Sequence, residues 1–110
     1  MRQIKIGDKE YKIHYGQNAI CALEDELDEG INEIFSRIEQ GNVKLKDFRA
    51  FLWAGMLKEN RNFTPEDVGE ICDNANVKIA DLLPECINEF NECFKRLIPE
   101  ENSEEVEKNE

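Results

Sequence analysis

The sequence predicts an α+β fold that is mostly α, with an N-terminal β-hairpin packed on a bundle of about five helices. Residues 2–15 alternate apolar and polar side chains, as half-buried strands do. Residues 18–98 contain segments in which apolar residues recur at helical spacing. Residues 99–110 are rich in glutamate and contain Val106 as their one large apolar residue. We therefore expect one globular domain over residues 1–98, followed by a disordered acidic tail.

A two-residue turn at Gly7–Asp8 would fix the register of the hairpin. That register places Lys5 opposite Glu10, a favourable cross-strand charge pair. It also collects the apolar side chains on one face, namely Ile4, Ile6, Tyr11 and Ile13. An isolated hairpin is only marginally stable in water, so this face is expected to lie against the helices.

The first two predicted helices are short and amphipathic and cover about residues 18–28 and 32–40. Gly30 is expected to end the first helix, and Asn32 is a reasonable N-cap for the second. The third helix, about residues 45–59, is apolar almost all round and should be covered by its neighbours. Gly55 in its interior costs about 1 kcal/mol relative to alanine, which a close helix crossing would explain.

The fourth helix begins with a strong capping signal, because Thr64 is followed by Pro65 and Asp67. The last helix is expected over residues 81–98, where Pro84 fits in the first turn if Asp81 is the cap. Its apolar side chains span about 160°, which is wider than the stripe of roughly 100° that a core-facing helix needs.

The charge of the chain argues against two classes of partner. Acidic residues outnumber basic residues 25 to 14, and the formal net charge is −11. Nucleic acids and anionic membrane surfaces both attract clusters of lysine and arginine, so neither is expected here. No segment has the length of an apolar membrane span, and the N-terminus lacks the apolar run of a signal peptide, so we expect a cytoplasmic protein.

No residue pattern predicts a catalytic, cofactor-binding or metal site. The four cysteines lack the short C-x₂₋₄-C spacing of structural zinc sites, and we expect them to be buried thiols. His14 is the single histidine, and the hairpin register places it on the face opposite the apolar set. A histidine there would be a poor partner for a thiol in the core, so we expect no enzymatic activity.

The order of elements and several short stretches resemble a known family. These stretches are Leu-Trp-Ala-Gly-Met-Leu at 52–57, a polar loop, Thr-Pro-Glu-Asp-Val-Gly-Glu-Ile at 64–71, and Tyr15-Gly16-X-Asn18-Ala19 with Leu23-Glu24. Over roughly residues 3–97, the chain resembles the small tail assembly chaperones of long-tailed bacteriophages, including the branch related to gene transfer agents. The cysteines and the Glu-rich tail depart from the family pattern.

The resemblance implies a non-enzymatic role in the cytoplasm of a bacterial host. It implies binding of the tape measure protein, a long helical chain, and its presentation to tail tube protein subunits, while homo-oligomer formation stays open. Two alternatives also stay open: a minor structural tail or tail tube component retained in the virion, and a small acidic regulatory protein.

The surplus apolar edge of the last helix is the candidate partner-binding surface. We expect Ile87, Phe94 and Ile98 to lie on it and to hold a partner helix. The alternative is that the hairpin covers this edge.

Overall fold

The computed structural model describes residues 1–97, with side chains up to Lys95. It contains a two-stranded antiparallel sheet and five helices, as the sequence predicted. The predicted tail over residues 99–110 and the partner-binding residue Ile98 lie outside the described residues, and the domain boundary at 98 stays a prediction. In chain order the elements are β1 (Arg2–Ile6), β2 (Lys9–Ile13), α1 (Gln17–Leu27), α2 (Ile31–Glu39), α3 (Leu45–Met56), α4 (Pro65–Asn74) and α5 (Ile79–Leu97).

The hairpin has the predicted register. Ile4 pairs with Tyr11, and Lys5 pairs with Glu10 on the opposite face. Ile4, Ile6 and Ile13 are buried, and Tyr11 packs at the edge of the core. The period-two pattern and the charge pair therefore both selected the correct pairing.

The connection between α1 and α2 differs from the prediction. Helix α1 ends at Leu27, and Asp28 adopts the left-handed conformation that closes it. Gly30 is the N-cap of α2, so it does not end α1 and Asn32 is not the cap. The Glu33 carboxylate accepts the Gly30 N–H at 2.9 Å, and Glu24 of α1 accepts the next N–H, so two acids satisfy the first turn of α2.

Helix α3 is central and covered by its neighbours, as expected. Its buried apolar residues lie on all sides and include Ala50, Phe51, Leu52, Ala54 and Met56. Leu45 departs from the expectation that neighbours cover the whole helix, because it is 69% exposed at the start of α3. The helix ends at Met56, three residues before the predicted end. There the backbone and side-chain N–H groups of Asn60 both donate to the Met56 carbonyl and close the final turn.

Gly55 is explained by an aromatic ring and not by a helix crossing. A Cβ atom at this position would lie 2.6 Å from Cζ and Oη of Tyr15. The Tyr15 ring is fully buried, and its hydroxyl donates to the Phe51 carbonyl at 2.8 Å. The residue after β2 also bonds here, because the His14 N–H donates to the Gly55 carbonyl at 2.8 Å. The end of the hairpin therefore rests directly on the backbone of α3.

Helix α4 has the predicted capping box, in which Thr64 and Asp67 exchange side-chain to backbone hydrogen bonds. Helix α5 begins at Ile79, two residues before the predicted start, so Pro84 lies in its second turn. A proline there cannot donate to the Ala80 carbonyl, which leaves one backbone hydrogen bond missing from the helix.

Four free cysteines are present among the described residues: Cys72, Cys86 and Cys93 are buried as expected, but Cys21 is exposed.

Candidate functional site

Helix α5 presents two different surfaces to its surroundings. One contains Leu83, Ile87, Phe90 and Phe94 and borders an apolar groove. The other contains Glu89 and Cys93 and contacts the hairpin. The 3.6-residue period separates these two surfaces by roughly a third of a turn, so they face different parts of the fold.

The apolar groove has a volume of about 420 Å³ and lies between α1, α2, α3 and α5. Its floor is aromatic. The rings of Phe35 and Phe90 have centroids 4.8 Å apart, and those of Phe90 and Phe94 stack at 5.0 Å. Phe51 contacts Phe35 and Phe90 from α3. The apolar lining consists of Leu23, Leu27, Ile34, Phe35, Ile38, Phe48, Phe51, Leu83, Ile87, Phe90 and Phe94.

An ion-pair network fixes α2 as one wall of this groove. Arg37 of α2 contacts Glu29 at 2.6 Å and Asp47 of α3 at 2.8 Å. Asp47 is buried and also accepts the Lys44 N–H at 2.7 Å. The hydrogen bonds from Arg37 lower the pKa of Asp47, so this carboxylate stays charged below its usual range. A single guanidinium thus joins the α1–α2 connection to the start of α3.

The predicted partner-binding residues fall at this groove where they are described. Ile87 is 45% exposed, and Phe94 is half-buried over the aromatic floor. The hairpin contacts the other surface of α5 and leaves Ile87 uncovered. The contribution of α2, which adds Phe35 to the aromatic floor and Ile38 to the opposite wall, was not predicted from the sequence. Their helical spacing was visible, but nothing in the sequence indicated which helix they face.

The second surface of α5 forms a polar cluster with the hairpin, which we define as His14, Glu89 and Cys93. Cys93 Sγ lies 3.5 Å from His14 Nδ1, and it donates to Glu89 Oε2 at 3.2 Å. His14 Nδ1 is 3.5 Å from the same carboxylate oxygen. The expectation that His14 faces away from the thiols is therefore wrong. His14 follows the last residue of β2, so the alternation of the strand does not determine its direction.

The charges around this polar cluster keep Glu89 ionised and Cys93 protonated. Burial alone would raise the pKa of Glu89, but its contacts with Cys93, the Met1 ammonium, His14 and Arg2 outweigh burial and lower it. Burial raises the pKa of Cys93, and the neighbouring Glu89 carboxylate adds to that effect. Activated nucleophilic cysteines have the opposite shift, toward the thiolate.

A wider cleft of about 750 Å³ lies on the other side of His14, beside the end of α3. Its lining mixes polar and apolar surface and comes from the β2–α1 connection, the start of α1 and the turn after α3, where Lys58 and Arg61 lie. It differs from the apolar groove in having no aromatic floor.

The chain matches a protein-family model over most of its length. Residues 2–86 match the model of a family described as phage tail tube protein, GTA-gp10. The chain belongs to this family of phage tail proteins. The matched range covers the hairpin, α1 to α4 and the first part of α5, and so includes three walls of the groove. No curated protein and no solved structure matches the chain.

The family assignment confirms the coarser part of the sequence analysis, namely a phage tail protein that associates with other tail proteins. The narrower chaperone role is a proposal. Within residues 1–97 of this tail protein, none of the helices has the length and hydrophobicity of a membrane span.

Proposed function

We propose that this tail protein is a non-catalytic tail assembly chaperone, which binds a helical segment of the tape measure protein and helps recruit tail tube subunits. The observation that supports this proposal best is the apolar groove. It has an aromatic floor, yet Ile87 on its edge is 45% exposed. An apolar edge left open to water in this way suits a partner that covers it.

The shape and lining of the groove suit an amphipathic helix. Such a helix inserts side chains spaced three, four and seven residues apart into an apolar groove. Glu39 and Asn91 also line this groove, and the whole chain is acidic. These features favour a tape measure segment whose apolar stripe is flanked by lysine or arginine.

The polar cluster supports the non-catalytic part of the proposal. Cys93 is only 3% exposed, and the raised pKa of its thiol favours the uncharged form. A nucleophile that is buried and protonated does not suit acyl or group transfer.

The alternative function is a minor structural tail or tail tube component retained in the virion. The description of the family as tail tube protein favours this alternative. In that case the groove would bind a neighbouring tail subunit in the finished particle. Mass spectrometry of purified particles separates the two functions, because a chaperone is absent from them and a structural component is present.

The test of groove binding uses two substitutions of exposed apolar residues. Ile87→Asp places a charge on the edge of the groove, whereas Leu45→Asp places one on a side chain that is 69% exposed and does not line it. Ile87→Asp removes an apolar contact that the partner would bury, so it should weaken binding of the tape measure protein by about tenfold or more. The Leu45 variant should bind like the wild type. Equal binding by the wild type and both variants in a titration would exclude the groove.

A further inference from the structure

We propose that His14, Glu89 and Cys93 form a binding site for a transition metal ion of the Zn²⁺ class, with an imidazole, a carboxylate and a thiolate as ligands. Their ligand atoms lie within 4.8 Å of one another. The site lies on the hairpin-facing surface of α5, roughly a third of a turn from the groove, so it is independent of the proposed function.

The distances between the three atoms fit a tetrahedral ion. Zinc bonds of about 2.3 Å to sulfur and about 2.0–2.2 Å to nitrogen and oxygen place tetrahedral ligands about 3.3–3.6 Å apart. The polar cluster has Sγ–Nδ1 and Nδ1–Oε2 separations of 3.5 Å and an Sγ–Oε2 separation of 3.2 Å. An ion near the centre of these atoms therefore needs only small movements of the ligands.

The backbone holds each ligand in place. Glu89 and Cys93 are four residues apart on α5, which puts both side chains on one face of the helix. His14 is fixed by the bond from its N–H to the Gly55 carbonyl. The ring packs closely against Gly16, where a Cβ atom would lie 3.3 Å from Cδ2 and Nε2. Its Nδ1 atom is consequently directed toward α5.

The neighbouring charges leave one carboxylate oxygen for the ion. Arg2 approaches Glu89 Oε1 at 3.5 Å, while its closer partner is Glu85 at 2.9 Å. Such contacts commonly orient a carboxylate ligand. Oε2 instead faces the thiol and the imidazole, and its other contact is the Met1 ammonium at 3.7 Å, which the ion would displace.

The ligand set selects the class of metal. A thiolate and an imidazole suit Zn²⁺ and Co²⁺, whereas Mg²⁺ and Ca²⁺ prefer oxygen ligands. Binding releases the thiol proton of Cys93 to solvent as the sulfur becomes a ligand. The His14 side chain is 27% exposed, so solvent reaches the edge of the polar cluster. The bound ion would join the hairpin to α5 and stabilise the folded chain.

The first test is Co²⁺ absorption in a Cys21→Ser background, which removes the exposed thiol. We expect one equivalent of Co²⁺ to produce a thiolate-to-metal charge-transfer band. The band should disappear in Cys93→Ser and persist in Cys72→Ser, a matched change at another buried thiol. Absence of the band in the parent protein, or its persistence in Cys93→Ser, would overturn the proposal.

The second test is a Zn²⁺ titration of the same proteins followed by calorimetry and thermal unfolding. Zn²⁺ should raise Tm of the parent and of Cys72→Ser, while Mg²⁺ should not. Cys93→Ser and His14→Ala should each weaken Zn²⁺ binding by more than about 100-fold, because both remove a direct ligand. If Zn²⁺ leaves Tm unchanged, the polar cluster only attaches the hairpin to α5 and the metal site is excluded.

Discussion

Replacing Gly55 by alanine should destabilise the protein, although the same change stabilises an ordinary helix. Glycine in a helix interior costs about 1 kcal/mol relative to alanine. At Gly55, however, the new Cβ would lie 2.6 Å from the Tyr15 ring. The sign of the change in the free energy of unfolding therefore tests the packing of the hairpin on α3.

The magnitude follows from the surroundings of Tyr15. The ring is 0% exposed, stacks on Phe51 at 4.8 Å and contacts Phe90 at 5.7 Å, so it has little room to move. Overpacking of a core costs about 1–3 kcal/mol. A shift of the ring also weakens its hydrogen bond to the Phe51 carbonyl, worth about 1 kcal/mol. After subtracting the gain in helix propensity, we expect a net loss of about 1–3 kcal/mol.

Urea unfolding followed by circular dichroism measures this loss as a lower midpoint with an unchanged slope. Gly69→Ala in α4 is the matched control. There a Cβ atom would lie 3.3 Å from Cδ of Arg49, a flexible side chain that can move away. We expect this control to be neutral or up to about 1 kcal/mol more stable. A Gly55→Ala protein at least as stable as the wild type would refute the packing described here.

Three further predictions concern an ion pair, a side-chain hydrogen bond to the backbone and a helix cap. The hydrogen bonds from Arg37 lower the pKa of Asp47 in the folded protein, so the stability from this pair is fully present above the ordinary carboxyl pKa of about 4 and is lost as the pH falls below that value and through the lowered pKa of the folded state. Urea midpoints measured against pH should fall less steeply at acidic pH in Arg37→Gln; an unchanged slope would contradict this. Trp53→Phe removes the indole bond to the Phe63 carbonyl at 2.8 Å and should lower the free energy of unfolding by about 1 kcal/mol, measured by urea titration. Thr64→Ala removes the N-cap of α4 and should cost about 1 kcal/mol in the same assay, whereas Thr64→Ser should retain most of the stability.

Local patterns predicted the elements that depend on local physics. The hairpin register followed from side-chain alternation and from the Lys5–Glu10 pair, and the start of α4 followed from Thr64 and Asp67. Helix ends that depend on contacts with residues outside the helix were harder to predict from the sequence. The end of α3 depends on Asn60 bonding back to Met56, and the polar loop gave no sign of that bond.

The candidate sites depend on contacts between distant parts of the chain. Cys93 and His14 are 79 residues apart, and the direction of His14 is set by the backbone bond to Gly55. Nothing in the sequence indicated that Glu89 would be buried, and its contacts with Arg2 and the Met1 ammonium offset the cost of burying its charge. The excess width of the apolar arc on the last helix was visible in the sequence. The fact that α2 forms the opposite wall of the groove could be known only from the fold.

The most direct test of the central proposal is an NMR map of the isotope-labelled protein titrated with tape measure segments. We expect shift changes along α2 and around Ile87 and Phe94 on α5, with the surface near Glu89 and the hairpin little affected. Shift changes confined to the cleft beside Lys58 and Arg61, or no changes with any tape measure segment, would contradict the proposal that the apolar groove binds this partner.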